Sequence, residues 1–237
     1  MPRVQLAVVM PAYNEEGAIQ AAVDEVRIHI LDKIPDSQLL VVNDGSRDRT
    51  AAILDAIAAS DPRIRVLHQR NAGHGPAIMA GLNAVDAEHV FLIDSDRQIP
   101  LDSFATAWGM LQAGADGVFG VRRQRHDPRV RLVLTAMVRQ GVKWLFAVRL
   151  HDVNVPYKLL RRSVWQEARA SIPADTLTPS IFLALYMVHR GKKIAEVEVV
   201  HLERKTGEVS IKRWRLMKFC ARAFVQLLGF RARLTNS

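Results

Sequence analysis

The chain of 237 residues contains a single cysteine, Cys220, so it forms no internal disulfide and does not need an oxidising compartment. It also lacks a run of about 18 uninterrupted apolar residues. The richest regions, 132–148 and 219–230, are broken by Arg139, Lys143 and Arg222, and a transmembrane helix is not expected. The apolar stretch Val4 to Met10 is too short for a secretory signal and runs straight into Pro11, which makes the cytoplasm the expected location. There is no Gly-x-Ser-x-Gly elbow and no Cys-His arrangement that singles out a covalent nucleophile. His29, His68, His89, His126, His151 and His189 show no metal-ligand spacing and read as structural or surface residues. Internal repeats, low-complexity stretches and clear linkers are absent as well.

What is present is ample apolar material, 49% of the residues, enough for one large α/β domain. Charge is unevenly spread. Residues 1–120 hold 9 Lys/Arg and 16 Asp/Glu, whereas residues 121–237 hold 24 and 8. An acidic half beside a basic half suits a protein that handles a nucleotide and a metal on one side and an anionic surface with the other.

Up to residue 120, short β-branched runs alternate with amphipathic stretches. Strands are expected at 4–10, 38–43, 64–68, 89–94 and 116–120, and helices at 15–31, 49–59, 76–85 and 103–113. Such alternation predicts parallel βαβ units in an α/β fold, with ligands beyond the C-terminal strand ends. The segments at those ends are Pro11 to Glu15, Asn43 to Ser46, Arg70 to Gly75 and Asp94 to Asp96.

Asp94 and Asp96 follow the apolar run Val90 to Ile93 with one residue between them. An extended chain turns alternate side chains the same way, so both carboxylates can face one hard cation, and Gln98 continues the spacing with a neutral oxygen. Asn43-Asp44-Gly45-Ser46-Arg47-Asp48 reads as a strand-to-helix turn with Ser46 or Asp48 as cap; Asp44 is also placed to accept hydrogen bonds from a base or a ribose. Gly73-His74-Gly75 before Pro76 is either a plain turn or a backbone approach to phosphate, without the Lys-Ser/Thr of a P-loop.

With Val8 to Glu16, Val41 to Asp48 and Asp94-Ser95-Asp96 in order, the chain resembles the inverting glycosyltransferases of family 2, and within them the dolichol-phosphate mannose synthase or polyprenyl-phosphate sugar transferase group. Gly120-Val121-Arg122, Asp152 to Arg162, and Glu196 to His201 with Arg204 and Gly207 carry the narrower likeness. The resemblance implies a GT-A fold: a Rossmann-like, mostly parallel central sheet with helices on both faces, spanning 1–210. Residues 1–120 form the nucleotide and metal half, residues 121–210 the acceptor half, and 211–237 a basic amphipathic helix and tail. It implies Pro11, Tyr13, Glu15, Asp44 and Asp94 around the donor nucleotide, and Asp94, Asp96 and Gln98 around Mg²⁺ or Mn²⁺. Arg122, Arg131, Thr135 and Arg204 become the acceptor-phosphate group, and Asp96, Arg122 and Asp152 the catalytic set. The partners implied are a GDP- or UDP-sugar, a dolichyl or undecaprenyl phosphate, an anionic membrane surface at the cytosolic face and, optionally, a membrane anchor subunit, with no specific nucleic acid. Asn43 in place of the commoner Asp, Arg97 in place of a small or apolar residue, and Val153 to Tyr157 in place of a Gly-Phe turn depart from the family pattern.

The acidic pair from which a family base usually comes is missing. Only Asp175 stands in Ser171 to Ser180, with Asp152 as fallback, which favours an acceptor that is already ionised, such as a phosphate, over a saccharide hydroxyl. Helical spacing in 211–228 sets Lys212, Arg215, Lys218 and Arg222 opposite Trp214, Met217, Cys220, Ala221, Phe224, Leu227 and Leu228. This helix either packs on its own core, lies in a lipid interface or meets a partner. A saccharide-specific enzyme and a non-catalytic basic binding protein are the competing readings.

Overall fold

The computed structural model describes residues 4–122, 151–202, 222 and 225–234. A seven-stranded sheet in the order β3-β2-β1-β4-β6-β5-β7 forms its centre. The strands are β1 (Val4–Ala12), β2 (Ser37–Asn43), β3 (Ile64–His68), β4 (Ala87–Ile93), β5 (Gly117–Arg122), β6 (Tyr157–Arg161) and β7 (Ile194–Val199). All neighbouring pairs are parallel except those of β6, which runs antiparallel to both β4 and β5.

Strict side-chain alternation sends each strand's residues to two cores. Ala7, Val9, Leu40, Val42, Val90 and Leu92 face one layer, formed by α3 (His74–Ala84), α5 (Arg162–Ala168), α6 (Pro179–His189) and the helical residues 225–234. Leu6, Val8, Met10, Leu39, Val41, Phe91 and Ile93 face the other, formed by α1 (Ile19–Val26) with its π-turn Arg27–Leu31, α2 (Thr50–Ser60) and α4 (Phe104–Gln112). Pro11 lies inside β1 without harm, because the register with β4 ends at Val9 and only β2 pairs alongside it.

The strands and helices expected up to residue 120 all form, with shifted ends. The largest shift is at α1, expected from residue 15 but starting at Ile19. Residues 14–16 are held instead by the loop after β2: Asn14 N donates to Ser46 Oγ, Glu15 N to Thr50 Oγ1 and Glu16 N to Asp48 Oδ2.

In the C-terminal stretch, Leu227, Phe230 and Leu234 are buried, and Phe230 meets Phe182 edge to face at 4.9 Å. Val225 and Leu228 stay exposed. The described part of this helix thus packs one face on the core. Leu228, which helical spacing groups with Leu227, points outward. Among the described residues no helix is long and apolar enough to cross a membrane.

Candidate active site

Four loops meet at the edge formed by the C-terminal ends of β1, β2, β3 and β4. The first two are laced together by the bonds from residues 14–16, joined by Arg47 N donating to Asn14 Oδ1. Asn14 takes the left-handed conformation (φ 54°), which asparagine tolerates better than most residues. Pro11 stands near the end of β1 and Tyr13 just beyond it, 42% exposed.

Asp44, almost fully buried, organises the third loop. Its Oδ1 accepts from Gln69 Nε2 and Ala72 N, its Oδ2 from Gly73 N, and its backbone carbonyl from Asn71 Nδ2. The carboxylate therefore fixes residues 69–73, and the single bond to Oδ2 leaves that oxygen with further accepting capacity. Gly75 has a packing reason: a Cβ there would lie 2.0 Å from the Thr176 carbonyl oxygen.

Asp94 and Asp96 lie just past β4. Gln98 N donates to Asp96 Oδ1 at 3.1 Å, closing a tight turn around Arg97, whose φ is 56°. Arg97 reaches away from the carboxylates to Glu25 of α1 (3.1 Å), and Glu25 also accepts from Leu101 N. Leu202 N donates to the Gln98 carbonyl, which brings the segment carrying His201 against the same turn. Burial pushes the Asp94 carboxyl up to about 6; His74 pulls it down, while the charge of Asp96 pushes it up. His74 Nε2 lies 3.5 Å from Asp94 Oδ1.

Beside them, β5 ends in Arg122, whose Nε and Nη2 reach Asp152 at 2.7 and 3.2 Å. Both side chains are buried to about nine-tenths or more, at 12% and 3% exposure. Lys158 of β6 is wholly buried; its Nζ donates to the carbonyls of Val153 (3.1 Å) and Val155 (2.7 Å) and sits 4.9 Å above the Phe119 ring. Burial pushes its ammonium down to about 7, against the pull of Asp152.

The structure thus brings Asp94, Asp96, Gln98, Arg122 and Asp152 to one region, and sets Pro11, Tyr13, Glu15 and Asp44 along the adjoining edge. Arg131, Thr135 and Arg204 lie outside the described residues. Asp175 is elsewhere, paired with Arg222 at 2.6 Å. Two members were missed from sequence. His74 stood in a motif weighed only for its glycines. Lys158 had a visible signal, a charge inside the apolar run Tyr157-Lys158-Leu159-Leu160.

Among the described residues no three His, Cys, Asp or Glu converge to hold a metal ion unaided. Two adjacent carboxylates with the proton affinity of one raised are nonetheless a donor set that a cation stabilises when the ligand's own oxygens complete the coordination.

Residues 7–167 match the model of Glycosyl transferase family 2. The chain belongs to that family. Among curated relatives, the undecaprenyl-phosphate 4-deoxy-4-formamido-L-arabinose transferase of Pseudomonas aeruginosa is 28% identical over 214 residues, which is 90% of this chain and 62% of that protein. The chain therefore spans less than two thirds of that relative's length. The prophage bactoprenol glucosyl transferase homolog of Escherichia coli K12 is 28% identical over 242 residues, covering 98% of this chain and 74% of the relative. In three dimensions the chain is similar to glucosyl-3-phosphoglycerate synthase from Mycobacterium tuberculosis, solved with Mn²⁺, UDP and phosphoglyceric acid. The TM-score is 0.71 at 20% identity, covering 96% of this chain and 78% of that one. The expected α/β sheet with helices on both faces is the fold of this family 2 chain.

Proposed function

We propose that this family 2 protein transfers a sugar from a nucleotide diphosphate to a polyprenyl phosphate at the cytosolic membrane face. One observation carries the choice of acceptor. The two carboxylates that could serve as base for a hydroxyl acceptor, Asp152 and Asp175, are each engaged by an arginine, Arg122 and Arg222. A phosphate needs no base, because its oxygens are already ionised near neutral pH. The names of the two curated relatives, an undecaprenyl-phosphate sugar transferase and a bactoprenol glucosyl transferase, support the same reading.

In this reading a phosphate oxygen attacks the anomeric carbon from the face opposite the leaving group. The new carbon–oxygen bond forms as the bond to the diphosphate breaks, and the nucleoside diphosphate leaves with the electron pair. Asp94, Asp96 and Gln98 would hold Mg²⁺ or Mn²⁺, which supplies charge stabilisation to the departing diphosphate. Pro11, Tyr13, Glu15 and Asp44 border the nucleoside. Arg122, oriented by Asp152, presents its remaining N–H groups to the acceptor phosphate and screens its repulsion from the donor. Arg131, Thr135 and Arg204 are assigned to the same anion from sequence alone. The exposed Val225 and Leu228 beside Arg222 and Arg231 support a peripheral contact with anionic lipid.

The test is a two-phase assay with protein, Mg²⁺ or Mn²⁺, undecaprenyl phosphate in detergent and a panel of labelled nucleotide sugars. One donor is expected to label the organic phase, and Asp96→Ala to reduce the rate by about 10²-fold or more while the protein stays folded. A donor consumed without labelling lipid would sink the acceptor assignment and leave the donor site standing.

A further inference from the structure

A lysine with no solvent exposure at the second position of a five-residue strand is costly, since a buried ammonium loses its hydration and must recover it from protein partners. Lys158 could be replaced by an aliphatic residue as far as the sheet is concerned. Its cross-strand partners, Leu92 of β4 and Phe119 of β5, belong to the apolar core. What a methionine could not do is reach back and donate to two successive alternate carbonyls, Val153 and Val155, of the turn that leads into the strand. That turn begins at Asp152, the residue that grips Arg122. The Phe119 ring lies under the ammonium, 4.9 Å from Nζ to its centroid.

From this geometry we infer that Lys158 is the positioning residue of the acceptor side. By clamping the 153–155 carbonyls it fixes where Asp152 stands and, through the two-point ion pair, which edge of the Arg122 guanidinium is left to face an anion. The inference rests on the proposed role of Arg122 toward the acceptor phosphate. It accounts for the Val153 to Tyr157 segment, where the family's usual Gly-Phe turn is absent. A turn without that glycine is held by a side chain from the strand that follows it. Lys158 touches no reacting atom in this account; it acts through Asp152 and Arg122.

The full chain and two variants, Lys158→Met and Lys158→Gln, decide the matter. Hydrogen–deuterium exchange is followed in the peptide 151–157, with β1 and β2 as internal controls. Lys158→Met is expected to speed exchange in that peptide about ten-fold or more and leave the controls unchanged. Lys158→Gln, whose amide can still donate, is expected to recover part of the protection. In steady-state transfer to undecaprenyl phosphate from the donor that labels lipid, Lys158→Met should raise KM for the lipid about ten-fold and leave KM for the nucleotide sugar within about two-fold. Wild-type exchange in 151–157 of Lys158→Met, or a rise in both KM values together, would overturn the assignment. Should the wild type transfer nothing to undecaprenyl phosphate, the acceptor reading fails, while the exchange measurement still decides whether Lys158 holds the turn. If Lys158→Met does not fold, Lys158→Gln and its exchange pattern serve in its place.

Discussion

Two positions that break the family's pattern have local reasons. Asn43 donates from Nδ2 to His68 Nδ1 and accepts from Ser46 N at Oδ1. An amide donor at Nδ1 puts the imidazole proton on Nε2, where it faces Asp55 at 2.9 Å. An aspartate at 43 would reverse the demand on that ring. Asn43→Ala removes both bonds, but His68 is 43% exposed and Ser46 half-buried, so water replaces part of the loss and the cost in denaturant unfolding should be about 0.5–1.5 kcal/mol. Arg97 is a closer contest. Its left-handed backbone costs about 1–2 kcal/mol for a non-glycine residue, against roughly 0.2–1 kcal/mol from an exposed ion pair with Glu25. Arg97→Gly is therefore expected to leave thermal stability unchanged or slightly raised, and a large drop in Tm would show that the Glu25 contact matters more than its exposure suggests. Residues of this kind mark the limit of what was readable. Asp94 and Asp96 declared themselves because their relation is local, two positions on one strand end. His74 and Lys158 acquire their meaning only when the start of α3 and the strand β6, far along the chain, arrive beside the end of β4.

At the scale of elements, the alternation of short apolar runs with amphipathic stretches was legible because parallel strands buried on both faces are near-continuous in Val, Leu and Ile. The direction of β6 was not, since a five-residue strand carries no sign of which way it points. Nor was the start of α1, which is decided by oxygens of the neighbouring loop rather than by its own periodicity. Gly75 offers the clearest test of element packing. Its missing Cβ lets the first turn of α3 approach the backbone of Thr176 and Leu177, and a collision with backbone cannot be relieved by a rotamer change. Gly75→Ala should destabilise by at least about 1–3 kcal/mol. Because His74 rides on the same turn, the substitution should also weaken nucleotide binding in the presence of Mn²⁺, measurable by calorimetry.

For the molecule as a whole, two buried groups make stability rise with pH, at opposite ends of the range. Arg63, with Arg27 adding to it, holds the Asp61 carboxyl well below the usual range. Its folded value is depressed, so the stabilisation is present above the unfolded value of about 3.9 and is lost as pH falls below it. Asp61→Asn should flatten the acid limb of the unfolding profile. Lys158 works at the other end. Its folded value of about 7 lies below the unfolded value near 10.4, so between these the unfolded chain carries a proton that the folded one does not. Stability should therefore rise from pH 7 toward 10, under the combined field of Asp152, Arg122 and Asp94, and Lys158→Met should remove that rise. An unchanged alkaline slope in the variant would assign it to other groups.

The reversal of β6 has a consequence for how such a protein changes over time. Because β5 ends and β6 begins at the same edge of the sheet, Arg122 and Asp152 pair as a buckle beside the site, across the two points between which residues 123–150 are joined. A segment anchored in this way can be lengthened, shortened or exchanged without disturbing a single strand register. New acceptors are then within reach of insertions and deletions rather than of slow rebuilding of the core, and chimaeras that swap residues 123–150 between family members should keep their donor and change their acceptor.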